Sequence, residues 1–378
     1  MTNERMAGEV FAPGEFLKEE LEARGWTQVE LAEILGRPPR LINEIIAGKR
    51  AITPETAKGL AEALGTSAEL WMNLESAYQL HQVKLDTSVA RRAKLHSIVP
   101  IKDMVRRNWI EPSDNVEVLE QRVFSFFGIK NLDEKPTFWN AARKSTSYQE
   151  TGPAELAWLF RARQLAHAVQ VAAFTAGALD RCLVRLKGLL QEPAETRHVP
   201  KILAESGIRF IVLEQLPHTR IDGVCFWLDE KSPVIALSFR FDRIDCFWHT
   251  LLHEIRHVEK FHGLKDDGML DRDICGENAT PMNERPEIER EVDSLAAEFL
   301  IPQGELKNFI GRVRPFYYKK KIIGFARHIG VHPGLVVGQL QYRGEITYAH
   351  NREMLTKVRR AITESALTDG WGNAPSLG

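Results

Sequence analysis

The chain has 378 residues, 44% hydrophobic and 27% charged, with a formal net charge of −1. That length predicts two or three domains, and that composition predicts a globular protein with enough apolar material for sizeable cores. The near-zero charge excludes a globally basic nucleic-acid binder, so any DNA contact must come from a local basic patch.

At the N-terminus, MTNERMAGEV has neither a basic n-region nor an apolar h-region, and no later run approaches the roughly 20 apolar residues of a membrane span. Cys182, Cys225, Cys246 and Cys275 show no CxxC spacing, which argues against a thiolate metal site and a disulfide scaffold. A cytoplasmic protein without a membrane partner is expected. GEFLKEELEARG (14–25) reads as an amphipathic helix ended by Gly25. Thr27 caps the next helix, with Glu30 completing a capping box, and that helix ends at Gly36. RPPRLINEIIAG gives a second short helix that Pro38 and Pro39 can start, and Thr53 caps TPETAKGLAEALG. Leu31, Ala32, Leu35, Ile42, Ile45, Ile46, Leu60 and Leu64 fall where a helical bundle needs its core.

Two short helices joined by a tight turn are the helix-turn-helix layout, whose second helix enters the major groove of double-stranded DNA. Its first turn offers Arg37, Arg40 and Asn43, and Arg pairs with guanine and Asn with adenine through two hydrogen bonds each. Lys49 and Arg50 follow the helix, placed for phosphates, and Gln28 can reach the backbone from the preceding helix. A plain bundle used for protein contacts is the alternative; the basic cluster in a Glu-rich module favours DNA. Residues 12–80, with GKRAITPETA and LGTSAELWMNL as the specific parts, resemble the XRE-type helix-turn-helix of HigA antitoxins. The Pro38-Pro39 pair departs from the Ser/Thr usual at the start of that recognition helix. The resemblance implies an operator as partner, a toxin or repressor as possible protein partner, and a homodimer on half-sites roughly 34 Å apart.

Residues 84–107, with Lys84, Arg91, Arg92, Lys94, Lys102, Arg106 and Arg107, read as a basic linker into helices. Residues 115–200 read as mostly helical. From 207, GIRFIVLEQL and GVCFWLDEKSPVIALSF are rich in β-branched and aromatic residues and predict a small antiparallel sheet. Helices return from 245, with a short helical pair over 316–345, a last amphipathic helix over 351–367 and a disordered DGWGNAPSLG tail. The predicted organisation is a DNA-binding module at 12–80, an intermediate helical region at 81–200, a hydrolase-like domain at 201–350 and a C-terminal helix and tail at 351–378. The fold class is α+β, mostly helical.

In the helical stretch from 245 onward stands His253-Glu254-Ile255-Arg256-His257. Residues four apart on a helix lie about 40° apart around the axis and about 6 Å along it, so both imidazoles can meet one zinc. Glu254 projects beside them and can take a proton from a metal-bound water. A third ligand is required. In PEIEREVDSLAAEFLIP, Glu289 and Asp293 share a face; Glu289 can bind the metal while Asp293 holds a ligand His, with Glu287 and Glu291 as fallback ligands. His249 reads as a packing residue or one that supports the ligands, and His262, His328, His332 and His350 as ordinary structural or surface residues. Strands, HEIRH and then ERxxxDSLAAEFLIP resemble ImmA/IrrE-type metallopeptidase domains over about 200–350, a gluzincin-like arrangement. The resemblance implies His253, His257 and Glu289 as zinc ligands and Glu254 as general base, acting on a repressor or antitoxin-type protein. Three functions stay open: a regulatory zinc endopeptidase joined to a DNA-binding module, an antitoxin-like repressor whose peptidase-like domain senses a signal or binds a partner, and a structural metal domain without turnover. The complete HExxH chemistry places the first ahead.

Overall fold

The computed structural model describes residues 10–83, 87–134, 136–138, 151–264 and 270–369, and divides into two compact units, the first ending at Ala90 and the second beginning at Arg91. The expected disordered tail lies outside the described residues, apart from Asp369.

Helix punctuation builds the first unit. Helix α1 (Pro13–Arg24) opens on a proline, whose missing N–H costs nothing in a first turn, and closes on Gly25 at φ 67°. Helix α2 (Gln28–Ile34) starts at the predicted box: the Glu30 amide donates to Thr27 Oγ1 at 3.2 Å and the Thr27 amide donates to Glu30 Oε2 at 2.6 Å. Helix α3 (Pro39–Ile46) begins on Pro39, α4 (Pro54–Leu64) is capped by Thr53, and α5 (Ala68–Gln82) by Ser67. Leu17, Leu31, Ile42, Ile45, Leu60 and Trp71 fill the core, with Leu35 and Ile46 partly buried at its edge. Gly14 is where α1 meets α3: a Cβ there would stand 2.2 Å from the Ile45 carbonyl oxygen.

The second unit is a five-stranded sheet covered on both faces by helices. Helices α6 (Thr87–Ile98), which starts within the first unit, α7 (Ile101–Arg106), α8 (Val116–Phe127), α9 (Pro153–Ala168), α10 (Ala176–Lys187) and α11 (Val199–Glu205) come first. Strands β1 (Arg209–Val212), β2 (Ile221–Trp227) and β3 (Pro233–Leu237) lead into α12 (Ile244–Glu259), followed by β4 (Leu270–Arg272). Helices α13 (Glu287–Leu300), α14 (Gln303–Val313), α15 (Lys319–Ile329), α16 (Pro333–Tyr342) and α17 (Arg359–Thr363), then β5 (Leu367–Thr368), complete the unit.

The strand order is β4-β2-β3-β1-β5. The sheet is mixed, which corrects the expected antiparallel one: β2 runs antiparallel to β3 and β4, whereas β1 is parallel to β3 and β5. The cause is connectivity. The chain passes from β1 to the far side of β3 before forming β2, so the antiparallel return into β3 runs parallel to β1. The strand periodicity of two then divides the core. Phe210, Val212, Cys225, Ile235 and Leu237 face α12 and the C-terminal helices, while Ile211, Val224, Phe226, Val234 and Ala236 face the helices of residues 95–169.

Residues 84–107, expected as a basic linker into helices, hold α6 and α7 with several of their charges tied down, residues 84–86 lying outside the described residues. Arg91 Nε donates to Glu120 at 2.9 Å, Lys94 to Asp133 at 2.5 Å and Arg107 to the Gln215 carbonyl at 2.8 Å. The continuous helix expected over 351–367 is instead a short 3-10 turn, α17 and the edge strand β5. Asp242 breaks it by accepting the Val358 and Arg359 amides at 2.9 and 2.8 Å. Among the described residues, no helix is long and apolar enough to cross a membrane.

Candidate functional site

Helix α12 buries its apolar side, Trp248, Leu251, Leu252, Ile255 and Val258, against the sheet core. That packing fixes the opposite edge, where the Nε2 atoms of His253 and His257 lie 3.0 Å apart. Helix α13 packs against α12 and brings Glu289 Oε2 to 3.0 Å from His253 Nε2 and Oε1 to 3.6 Å from His257 Nε2. Glu287 and Glu291, the fallback ligands, are exposed instead, with Glu291 paired to Lys260 at 2.6 Å.

The outer partners are equally specific. Asp293, one turn beyond Glu289, places Oδ1 2.9 Å from His253 Nδ1. Its other oxygen accepts from Arg285, whose guanidinium also donates to the Thr280 carbonyl at 3.0 Å and the Asp273 carbonyl at 3.2 Å. His249 Nε2 stands 3.3 Å from Asp293 Oδ1, so it supports Asp293 and does not face the ligand cluster. The Nδ1 atoms of His257 and His262 are 2.8 Å apart, which gives His262 the same holding position on the second imidazole. His332 caps α16, accepting the Gly334 amide at 3.1 Å, and His328 and His350 are exposed.

Glu254 is wholly buried, and neither carboxylate oxygen has a hydrogen-bond partner. Gly223 on β2 makes the space: a Cβ there would lie 2.3 Å from Glu254 Oε1. Burial first, and the neighbouring Asp271 charge second, push the Glu254 carboxyl well above the usual range. Burial raises the Glu289 and Asp293 carboxyls too, but the imidazoles of His253 and His257 beside Glu289, and of His249 and His253 beside Asp293, outweigh it and hold both well below the usual range. For His253, burial lowers the pKa, and Asp271, Asp293 and Glu289 together outweigh it, raising it well above the ordinary value.

Sequence reasoning missed Asp271. Strand β4 carries it to 3.4 Å from His253 Nε2 and 3.9 Å from His257 Nε2. The ligand atoms of His253, His257, Asp271 and Glu289 all lie within 4.8 Å of one another. No local signal marked this residue, because pairing with β2 and not spacing along a helix brings it in. His262 was missed for a similar reason: it follows the end of α12, where helical spacing no longer predicts direction.

The donor set fits zinc. Imidazole nitrogens and carboxylate oxygens are its ordinary ligands, and bonds of roughly 2.0 Å in a tetrahedron place donors about 3.3 Å apart. Glu289 Oε1, Asp271 Oδ2 and both Glu254 oxygens are buried without a partner, an expense that a bound cation offsets.

In the first unit the candidate DNA contacts stay on the surface. Arg37, Arg40, Asn43, Lys49 and Arg50 are exposed, and Gln28, the first residue of α2, is half-buried. Arg40 and Asn43 are three apart on α3, whose Ile42 and Ile45 are buried. Glu44 pairs with Arg40 at 2.7 Å and Arg50 at 3.0 Å, and Glu55 pairs with Arg37. Such exposed pairs are worth little and yield readily to a competing anion.

Residues 17–71 match the family described as helix-turn-helix. Virulence-associated protein I of Dichelobacter nodosus is 35% identical over 95 residues, covering 25% of this chain and 83% of that protein. An uncharacterized HTH-type transcriptional regulator of Escherichia coli (strain K12), YddM, is 30% identical over 83 residues, covering 22% and 88%. Among solved structures, Pseudomonas aeruginosa antitoxin HigA with the higBA promoter is 30% identical, covers 25% of this chain and 99% of its own, and has a TM-score of 0.20.

Proposed function

We propose, from the premise that the chain belongs through its first unit to the helix-turn-helix family of HigA-like antitoxins and regulators, that it is a cytoplasmic operator-binding regulator whose second unit is a zinc-dependent endopeptidase. One observation carries the peptidase half: two imidazoles and Glu289 converge with separations of 3.0 to 3.6 Å, with an unpartnered, fully buried Glu254 beside them. Buried charges without partners are costly, and a domain serving only as a scaffold gains nothing from them.

In this reading His253, His257 and Glu289 hold the zinc. The metal, when bound, lowers the pKa of a coordinated water and polarises the scissile carbonyl. Asp293 accepts from His253 Nδ1, which leaves Nε2 free as the metal donor, and Arg285 holds Asp293 in place through its other oxygen. His262 orients His257 in the same way. Glu254 accepts the water proton and passes it to the leaving amine; without competing donors around it, its carboxylate oxygens are available for that transfer. The substrate class is a repressor or antitoxin-type protein, as the resemblance to ImmA/IrrE-type domains implies. In the first unit, α3 enters the major groove of the operator, with Arg37, Arg40 and Asn43 at base edges and Gln28, Lys49 and Arg50 at the backbone. The chain acts there as a homodimer.

A second reading, an antitoxin-like repressor whose peptidase-like unit binds a signal or partner without cleaving, is favoured by one observation. Asp271 stands where an open fourth position is needed. Zinc content and cleavage of fluorescently labelled antitoxin- and repressor-type proteins, measured on wild type and Glu254→Gln, separate the two. The peptidase reading expects about one zinc per chain in both proteins and cleavage by wild type alone. Zinc in both with no cleavage by wild type supports the second reading; a metal-free wild type under zinc-replete conditions ends the first.

A further inference from the structure

We infer that Asp271 is a fourth zinc ligand, so that β4 holds the metal centre in a closed resting state, in exchange with a minor open state that admits substrate. This rests on the zinc reading above and adds the device that controls it. Catalytic zinc sites keep one position for water, whereas sites closed by four protein ligands do not turn over. Here the Asp271 oxygens lie 3.4 Å from His253 Nε2 and 3.9 Å from His257 Nε2, separations of the same order as the 3.0 and 3.6 Å from the two imidazoles to Glu289. Asp271 is buried, and its Oδ2 lies in the cluster without a hydrogen-bond partner.

The strand that delivers Asp271 is built to leave. It is three residues long, lies at the edge of the sheet and pairs only with β2, through a register shift between Ile221 and Gly223. An edge strand this short contributes few ladder bonds. Two ion pairs flank Asp271 and tie the strand to neighbouring elements. Arg272 donates to both Glu155 oxygens, at 2.6 and 2.7 Å, and Asp273 accepts from Arg240 at 2.7 Å. Glu155 lies on α9, from the opposite layer of the unit, so movement of that layer acts directly on the strand.

The test uses the full chain loaded with Co2+, whose visible bands report the coordination shell, and azide as the probe for an open position. Wild type is expected to give an intense four-coordinate spectrum that azide does not change. Asp271→Ala is expected to become azide-responsive and, in chelator competition, to bind zinc at least about tenfold more weakly, the lower bound seen even for residues behind the ligands. Glu155→Gln keeps every ligand and is expected to admit azide while retaining one metal per chain. Asp271→Asn repeats the affinity measurement should the alanine variant misfold, with circular dichroism checking each protein. An azide response in wild type equal to that of Asp271→Ala, or unchanged zinc affinity in both Asp271 variants, overturns the closed state and leaves the zinc reading standing. A wild type that takes up neither metal removes both.

Discussion

The two units place their charge oppositely. In the first, Glu75 is the only buried charged residue among the described ones, and it accepts from the Ile52 amide at 2.9 Å and from Gln79 at 2.8 Å. Its candidate functional residues are exposed, apart from the half-buried Gln28, and none belongs to the core. In the second, His253, Glu254, His257, Asp271, Glu289 and Asp293 are all buried, several with unpartnered oxygens. The first unit can therefore fold without regard to what it binds, whereas the second carries in its interior a group of charges that burial alone penalises. Stability and function are separable in one unit and linked in the other.

The largest expected effect follows from that linkage. Zinc at a thousandfold excess over Kd should stabilise the second unit by about 4 kcal/mol, and chelation should remove this while leaving the first unit's transition in place. Calorimetry with and without chelator reads it; equal shifts in both transitions would break the contrast. Next comes Gly223→Ala, whose Cβ would stand 2.3 Å from Glu254 Oε1 and 3.0 Å from Leu237 Cδ2. Overpacking of this kind costs roughly 1–3 kcal/mol. The variant is expected to unfold at lower denaturant while still holding zinc and losing cleavage; retained cleavage would show that Glu254 does not need its present place. Asp293→Asn should weaken zinc binding about 10–100-fold, since the His253 Nδ1 partner is altered and no ligand is removed. An unchanged chelator competition curve would leave Asp293 a purely structural role. The smallest effect belongs to the surface. Arg40→Ala with Lys49→Ala should weaken operator binding in fluorescence anisotropy and reduce the salt slope by about 1 per lost phosphate contact, with no change in unfolding. Undiminished affinity would remove α3 as the recognition helix.

What the sequence made legible follows the same division. The Thr27–Glu30 box and the left-handed Gly25 act within a few residues, and spacing alone predicts them. His253 and His257 were visible because a helix converts four residues of spacing into a shared face, and Glu289 with Asp293 for the same reason. Asp271, His262 and Gly223 were not, because each reaches the centre through strand pairing or a chain turn. The sheet shows the same limit. Its strands were evident from composition, but the parallel pairing of β1 with β3 depends on which side of β3 the chain passes, and no residue in either strand encodes that. The terminal helix failed where Asp242, more than a hundred residues earlier, competes for its amides.

The buried cluster of the second unit, read as a metal centre, links the stability of that unit to what it binds. The most direct test is the metal content of purified full-length protein under zinc-replete conditions, wild type against Glu289→Ala. About one zinc per wild-type chain and near none in the variant are expected, with helix content unchanged by circular dichroism. A metal-free wild type, or a variant that retains its full zinc, would contradict that reading.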